Sequence, residues 1–404
     1  MGIEDFIRDA LYQPNDYVGY HVGRELAELH PDKTIVEGRN WEFQIEAFAR
    51  AGRCSVVKEK SVFHHTTRNW EGIGTQPTER IENSWLNVLW QGELLDVVLI
   101  SWSEACRLTR HHWIVADSQK LAHEFLNAVC EWTCEVRGEI IVFQDGGFQK
   151  DTALFDTIKS ATFDNLILSG SLKAQIQNDF TQFFNSRETY ERYRIPWRRG
   201  ALFVGPPGNG KTHTVKALIN ELAQPCIYVR NLGYVDDDMS LLFKRARMVP
   251  CVVVFEDLDS MIDDDNRAFF LNELDGFRAN TGMVVLATTN HPEKLDAAIL
   301  ERPSRFDRKY HFSLPAQSER LSYVEKWNAD LQSELRVSSE TASVLVEKTE
   351  GFSFAYLKEL FVASVTQWIA SGEKRCIDEV VFEQLDFLRG QLKADTQKQE
   401  RKAG

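Results

Sequence analysis

At 404 residues the chain is long enough for two or three domains with sizeable cores. Its 60 acidic and 47 basic residues give a net charge of −13, which argues against nucleic acid as the main partner. No apolar run approaches the ~20 residues that a bilayer-spanning helix needs, so we expect no membrane segment. An acidic N-terminus without a signal-peptide pattern and seven scattered cysteines indicate a cytoplasmic protein with reduced thiols.

The first part of the chain, residues 1–155, is predicted to be a mixed α/β domain, because its hydrophobic pattern alternates between helical and strand periods. Residues 151–160 are predicted to be a connector. The predicted elements before it are helices to about residue 30, a hairpin of strands 84–90 and 93–101 around Gln91-Gly92, a strand over 111–116, a helix from Asp117 or Ser118 to about 136, and a strand over 139–144.

Two groups of side chains in this domain allow alternative interpretations. Tryptophans at 41, 70, 85, 90, 102, 113 and 132 indicate either core packing or an aromatic surface that recognises a partner protein. The strand patterns around Trp85, Trp90 and Trp113 favour the core. Cys130 and Cys134 lie one helical turn apart with histidines upstream, but their spacing fits no known zinc motif and favours a buried helix face.

From about residue 160 apolar strand runs alternate with helices, which predicts a doubly wound parallel sheet covered on both faces. We expect this α/β core to extend over 160–314. Residues 315–392 have only helical patterns and are predicted to form a small α-helical domain. Residues 393–404 are polar and are predicted to be a disordered tail.

The first apolar strand of the core, Ala201–Val204, leads directly into a phosphate-binding loop. The loop fits the pattern G-x-x-x-x-G-K-[ST], in which glycines let backbone N–H groups surround an anion. Lys211 is expected to reach the β- and γ-phosphates of a nucleoside triphosphate, and the Thr212 hydroxyl to hold Mg²⁺. The predicted nucleotide-binding residues are Gly205, Pro206, Pro207, Gly208, Asn209, Gly210, Lys211, Thr212 and His213.

Polar side chains follow two later strands of the same core. Glu256 and Asp257 end an apolar strand, where one carboxylate can order the Mg²⁺ shell and the other can polarise water. Asn290 ends the next strand, and strand ends of this kind face the ligand. Arg302 and Arg305 lie on a turn and are either arginine fingers given to a neighbouring subunit or surface ion pairs.

Residues from about Phe163 to Leu388 resemble AAA ATPases of the AAA+ superfamily. The resemblance lies in the phosphate loop, in Glu256-Asp257-Leu258-Asp259, in the run from Leu271 to Phe277, and in the block from Thr288 to Arg308. Within that family the module is most similar to the mitochondrial chaperone that translocates the folded Rieske iron–sulfur protein, whose membrane anchor has no counterpart in this sequence.

The resemblance implies a P-loop AAA+ fold and a ring-shaped homo-oligomer, a hexamer or heptamer, that binds ATP and Mg²⁺ between subunits. Thr212 and Glu256 are the expected metal-side residues. The residues expected to act in catalysis are Lys211, Glu256, Asp257, Asn290 as first sensor, and Arg302 and Arg305 as fingers. The order Glu-Asp is unusual, since most members have Asp-Glu, and Phe354 stands where the family has a small residue.

We therefore expect an ATPase that remodels or translocates a protein partner selected by the N-terminal domain. The alternative is an ATP-gated assembly or binding switch, in a scaffold or defence complex, that moves no substrate. Peptide-threading relatives carry an aromatic-apolar-glycine loop after the second strand. Here Tyr234 follows Gly233 and precedes three aspartates. This departure and the acid order are the observations that support the alternative, while remodelling remains the leading hypothesis.

Overall fold

The computed structural model describes residues 3–39, 42–58, 64–70, 78–104, 107–135, 139–232, 236–275, 281–302, 304–372 and 374–403. They belong to two compact units, Met1–Arg137 and Gly138–Gly404. The division therefore lies before the strand at 139–144, whereas the sequence predicts a boundary near residue 155.

The first unit is an antiparallel sheet with helices on both faces. Its strand order is β1-β6-β5-β4-β2, and β3 pairs with β4. Its elements are α1 (Ile3–Leu11), α2 (Asn15–Leu29), β1 (Thr34–Gly38), α3 (Ile45–Arg50), β2 (Ser55–Lys58), β3 (His65–Asn69), β4 (Thr78–Trp90), β5 (Glu93–Glu104), β6 (Arg107–Ala116) and α4 (Gln119–Cys134).

The β4–β5 hairpin turns through Gln91 and Gly92, with φ of 54° and 88°. Two positive φ values are the signature of the type I′ turn that matches strand twist, so this predicted hairpin is confirmed. Helix α4 begins after Ser118, whose hydroxyl accepts a hydrogen bond from the Leu121 N–H.

Alternate residues of the first sheet enter two cores. Trp85 and Trp113 pack with α1 and α2 on one face, while Trp90 packs with α3 and α4 on the other. All three are buried, which confirms the core interpretation for them. Trp70 is 68% exposed, and Trp41 lies outside the described residues. Cys130 packs against the α3–α4 core, and burial raises the pKa of its thiol to about 12.

The second unit is built on a seven-stranded sheet with a helical subdomain after it. Its elements are β7 (Ile140–Gln144), β8 (Gly147–Asp151), α5 (Thr152–Lys159), α6 (Leu172–Asn185), α7 (Arg187–Tyr193), β9 (Arg198–Val204), α8 (Lys211–Leu222), β10 (Cys226–Val229), α9 (Asp236–Ala246), β11 (Cys251–Phe255), α10 (Leu258–Met261), α11 (Arg267–Asp275), β12 (Met283–Thr289), α12 (Ala297–Leu300), β13 (Arg308–His311), α13 (Gln317–Asp330), α14 (Ser339–Lys348), α15 (Phe354–Ala370) and α16 (Ile377–Ala403).

The strand order β13-β9-β12-β11-β10-β7-β8 places the phosphate-loop strand β9 beside β12, and β12 beside β11. All of these pairings are parallel except β7–β8. Helices α6 and α8 cover one face, while Phe243 of α9 and Phe270 of α11 pack on Phe255 from the other. Parallel strands covered on both faces are continuously apolar, as the sequence predicts.

Three sequence predictions differ from the structure in this unit. Strand β7 belongs to the second sheet, where Ile141 pairs with Ile227, because its apolar run is buried on both faces. The predicted connector contains α5, which Asp151 caps. Helix α16 continues to Ala403, although residues from 393 are predicted to be disordered. Strong helix formers and the absence of Pro and Gly in that stretch explain the continuation.

The last four helices, α13 to α16, share one core that includes Val324, Leu345, Leu360 and Leu385. This α-helical subdomain follows β13 directly. None of the helices in the described part of the chain combines the length and the apolarity needed to cross a membrane.

The assignment of β7 to the second unit can be tested with Phe143→Ala, since Phe143 is fully buried on β7. We expect a loss of about 3–5 kcal/mol of unfolding free energy, and faster hydrogen exchange in β10. The matched control is Phe125→Ala, which removes a fully buried ring from α4. It should accelerate exchange in the first unit only. Faster exchange in β5 and β6 after Phe143→Ala would contradict the assignment.

Candidate functional site

The phosphate loop joins β9 to α8 and places its backbone close to the end of β13. Gly205 has φ of 151°, and a Cβ there would lie 2.1 Å from the Phe312 carbonyl oxygen. Gly210 precedes α8 with φ of 90°. Conformation and space both require glycine at position 205, and the positive φ favours glycine at position 210. The first N–H groups of the 12-residue helix α8 face the loop and provide an anion site.

Lys211 lies at the centre of the site and is 6% exposed. Its ammonium donates hydrogen bonds to the Gly205 carbonyl at 2.6 Å, the Pro206 carbonyl at 3.0 Å and Asn290 Oδ1 at 2.7 Å. Burial lowers the pKa of Lys211, whereas the negative charges of Asp257 and Asp259 oppose that shift. An anion bound in the loop would add a further negative charge that favours the ammonium form.

Asp257 is linked to the same centre through Asn290. The Asn290 Nδ2 donates to Asp257 Oδ1 at 2.9 Å, and the Asp257 N–H donates to the Thr288 hydroxyl at 3.0 Å. Partial burial, followed by the charges of Asp259 and Glu256, raises the pKa of Asp257. Three neighbouring strands, β9, β12 and β11, thus bring Lys211, Asn290 and Asp257 into one hydrogen-bonded chain.

Glu256 lies on the α8 side of the sheet. Val252 and Val254 pack in the same core as α8, and Glu256 continues their alternation onto that face. Its Oε2 accepts a hydrogen bond from the Tyr228 hydroxyl at 2.7 Å. Its Oε1 is buried and has no hydrogen-bond partner among the described residues. Thr212 is exposed in the first turn of α8, on the same side.

These two residues fit a magnesium site. Mg²⁺ prefers oxygen ligands and usually binds proteins through one or two carboxylates together with substrate phosphates. The unpartnered Oε1 of Glu256 supplies an acceptor that lacks a donor, and Thr212 supplies a hydroxyl. No three His, Cys, Asp or Glu side chains of the described residues form a group that could hold a metal ion by themselves, so phosphate oxygens would have to complete this site.

A cavity of about 600 Å³ lies between the phosphate loop and the helical subdomain. Gly208 and Gly210 line its loop side, and the Ala355 N–H donates to the Gly208 carbonyl at 3.0 Å, which ties α15 to the loop. His213 also lines it, with Nε2 3.3 Å from the Thr162 carbonyl oxygen. The helical subdomain contributes Tyr323, Lys326, Trp327, Asp330, Phe354, Ala355 and Lys358.

Arg302 and Arg305 lie far from the phosphate loop of their own chain. A Cβ on Gly200 would lie 1.9 Å from the Arg305 carbonyl oxygen. Gly200 precedes Gly205 by five strand residues, roughly 17 Å. Both arginines therefore lie toward the end of the sheet opposite the phosphate loop.

The two arginines differ in burial. The Arg305 side chain is 6% exposed, donates to Asp275 Oδ2 at 2.7 Å and also contacts the Ala298 carbonyl. The Arg302 side chain is 64% exposed and lies 3.1 Å from the same carboxylate. Arg305 has the contacts of a residue that holds the turn together, whereas most of the Arg302 side chain is exposed to solvent.

Several residues of the site have no counterpart in the sequence predictions. Tyr228 lies inside an apolar strand, where nothing in the pattern indicates a partner. Asp275 and Asp259 occur in recognised motifs, but only the structure shows that Asp275 binds both arginines and that Thr289 donates to Asp259 at 2.7 Å. Gly233, Tyr234, Gly276, Phe277 and Pro303 lie outside the described residues, so the predicted loop around Tyr234 stays a prediction.

Comparison with known proteins identifies the domain that carries this site. Residues 201–314 match the family described as "ATPase family associated with various cellular activities (AAA)". The fold and the match define a P-loop ATPase domain that binds nucleotide. More specifically, the chain contains an AAA ATPase domain, which confirms the predicted fold class and the predicted enzyme class.

The relatives found are longer proteins. The ATP-dependent zinc metalloprotease FtsH of Lancefieldella parvula is 31% identical over 56% of this chain and 38% of its own. The ATPase family protein 2 homolog of Caenorhabditis elegans is 31% identical over 49% of this chain and 31% of its own. The chain thus spans well under half of these relatives. They support the AAA family, and the closer resemblance to the Rieske-translocating chaperone stays a prediction.

The different burial of the two arginines predicts different costs of removal. Arg305→Ala should lower the unfolding free energy by about 3 kcal/mol, because it leaves a largely buried Asp275 without its main partner. Arg302→Ala should change it by less than about 1 kcal/mol, since exposed ion pairs contribute little. Urea unfolding of both variants measures the difference. Equal losses would show that Arg305 does not hold the turn.

Proposed function

We propose that the chain hydrolyses ATP with Mg²⁺ in a ring-shaped homo-oligomer, a hexamer or heptamer, and uses this to remodel or translocate a protein partner. The proposal rests above all on the Lys211–Asn290–Asp257 chain of hydrogen bonds at the ends of three adjacent strands. That arrangement provides a cation for phosphates, an amide for positioning and a carboxylate for water within one site.

Each residue then has a definite task in hydrolysis. Lys211 exchanges the loop carbonyls for the β- and γ-phosphate oxygens, which neutralises charge that develops in the transition state. Asp257 accepts the proton of the attacking water, and its raised pKa brings it closer to neutral pH than an ordinary aspartate. Asn290 orients both groups. Mg²⁺, held by Thr212 and Glu256, supplies additional charge stabilisation when bound.

The position of the arginines supports the proposal of a ring. Because Arg302 is exposed and distant from its own phosphate loop, it serves as a finger only in a heterologous contact between copies. Arg305 supports it through the shared carboxylate of Asp275. Heterologous contacts of one kind close into rings or continue as helical filaments, and the resemblance to AAA ATPases favours the ring.

We further propose that the first unit selects the protein partner. It has its own two cores and lies outside the residues that match the AAA family. Its described surface exposes aromatic side chains, among them Tyr12, Tyr20 and Trp70 at 64–82% exposure, which are of the type enriched in protein interfaces.

The second candidate is an ATP-gated switch that moves no substrate. The inverted acid order favours it. The shorter acid, Asp257, lies at the position that polarises the attacking water, so its length affects the rate of hydrolysis. Slow hydrolysis suits a timed switch. Crosslinking of an Asp257→Asn ring separates the candidates. A partner inside the ring supports remodelling, whereas a partner confined to the first unit supports the switch.

The enzyme proposal is tested by steady-state ATPase measurement with Mg²⁺. Lys211→Ala should lower kcat by about 10²–10³-fold or more, because it removes the donor nearest the developing charge. Lys216→Ala is the matched control on the same helix and should retain activity. If the purified wild-type chain shows no hydrolysis above background at high concentration, the proposal fails.

Sharing of sites between subunits is tested by mixing Arg302→Ala with Asp257→Asn. Each variant alone should be inactive, since a finger is typically worth about 10³–10⁵ in rate. Roughly a quarter of the interfaces in a random one-to-one ring join both intact halves, so activity should return. Lys211→Ala mixed with Asp257→Asn is the control, because both lesions affect the same half. No recovery in rings whose subunits demonstrably exchange would argue against trans action.

A further inference from the structure

Tyr228 lies on β10, directly beside the strand that carries the acids. It pairs in register with Val254 of β11, so its side chain lies on the same face as Val254 and Glu256. Its hydroxyl donates to Glu256 Oε2 at 2.7 Å. The contact therefore joins the end of β11 to the neighbouring strand on the α8 side, the helix that carries Thr212 in its first turn.

The two oxygens of Glu256 have different surroundings. Oε2 is bound by Tyr228, while Oε1 is buried and lacks a hydrogen-bond partner within the described residues. An ionised carboxylate accepts about four hydrogen bonds, and a buried acceptor without a partner is destabilising. Oε1 is thus the free end of a carboxylate that the protein holds by its other oxygen.

A glutamate at this position needs such a restraint more than an aspartate would. It has one more methylene group and one more rotatable bond, so its carboxylate samples more positions unless it is held. The hydroxyl of Tyr228 supplies one donor, and it is directed at Glu256 Oε2.

We propose that Tyr228 is a positioning residue for the metal side of the site: it holds Glu256 through Oε2 so that Oε1 faces the Mg²⁺ shell shared with Thr212. The inference depends on the proposed function, since it concerns the same site. It assigns a role to a residue of β10 and explains how the longer acid is accommodated in this position.

The test is the Mg²⁺ dependence of nucleotide binding by the full chain. Binding of a fluorescent N-methylanthraniloyl-ADP is titrated with Mg²⁺ and, separately, in EDTA. Tyr228→Phe removes only the hydroxyl and should raise the half-saturating Mg²⁺ concentration by about tenfold, at the low end of effects from residues that orient metal ligands. Binding in EDTA should be unchanged.

Glu256→Asp provides a second, independent route, because the shorter acid no longer reaches Tyr228. In that background Tyr228→Phe should have no further effect on the Mg²⁺ dependence, and an additive effect would overturn the proposal. The matched control is Tyr310→Phe. This variant removes a similar hydroxyl–carboxylate contact, between Tyr310 on β13 and Asp179 on α6 at 2.6 Å, and should leave the half-saturating Mg²⁺ concentration unchanged.

The outcomes separate this inference from the proposed function. If wild type binds the nucleotide with Mg²⁺ and Tyr228→Phe has the same half-saturation, the positioning role is wrong and the ATPase proposal stands. If Tyr310→Phe shifts the Mg²⁺ dependence as much as Tyr228→Phe, a general loss of sheet stability explains both. If wild type binds no nucleotide at any Mg²⁺ concentration, the proposed function itself fails.

Discussion

The buried ammonium of Lys211 is the interaction on which the rest of the site depends. A lysine has three donors, and all three are used, two on the loop that carries it and one on Asn290. A buried cation must be compensated by hydrogen-bond acceptors and negative charge. The carboxyl ends of β9, β12 and β11 therefore have to lie close together. The parallel registers Val204↔Thr289, between β9 and β12, and Phe255↔Ala287, between β11 and β12, produce that alignment.

The two acids after β11 are adjacent in sequence but have separate partners. Glu256 is bound by Tyr228 on β10, whereas Asp257 is bound by Asn290 after β12. Asp257 has φ of 51°, so the chain turns sharply at this residue and directs the two carboxylates to opposite neighbours. Two negative charges can then lie next to each other in the chain and still serve separate tasks in one site.

Much of this architecture could be predicted from local patterns. The phosphate loop after Val204 and the apolar strand that ends before Glu256 lie where the sequence predicts them, because short apolar runs between turn residues are strong signals. The sheet to which β7 belongs is harder to predict, because its partner strand β10 lies more than 80 residues later. The position of β7 between the two domains favours assigning it to the first one. Strand pairing over such a distance has no signal in the local sequence pattern.

The side-chain contacts of the site were less accessible to prediction than its motifs. The spacing of Arg302 and Arg305 suggests two equivalent fingers, but exposure separates them, and exposure depends on the distant Asp275. The Tyr228–Glu256 pair likewise needs the β10–β11 register before the two residues become neighbours. Motifs identify which residues act, whereas tertiary packing decides how each is held.

Strand β7 extends the second unit beyond the residues that match the AAA family. It pairs with β10, and at the tip of the β7–β8 hairpin Asp145 and Asn231 exchange two hydrogen bonds at 2.7 and 2.9 Å. The hairpin is thereby joined to the start of the segment that follows β10. A substitution in its turn consequently bears on a segment of the AAA domain, although the turn itself lies outside residues 201–314.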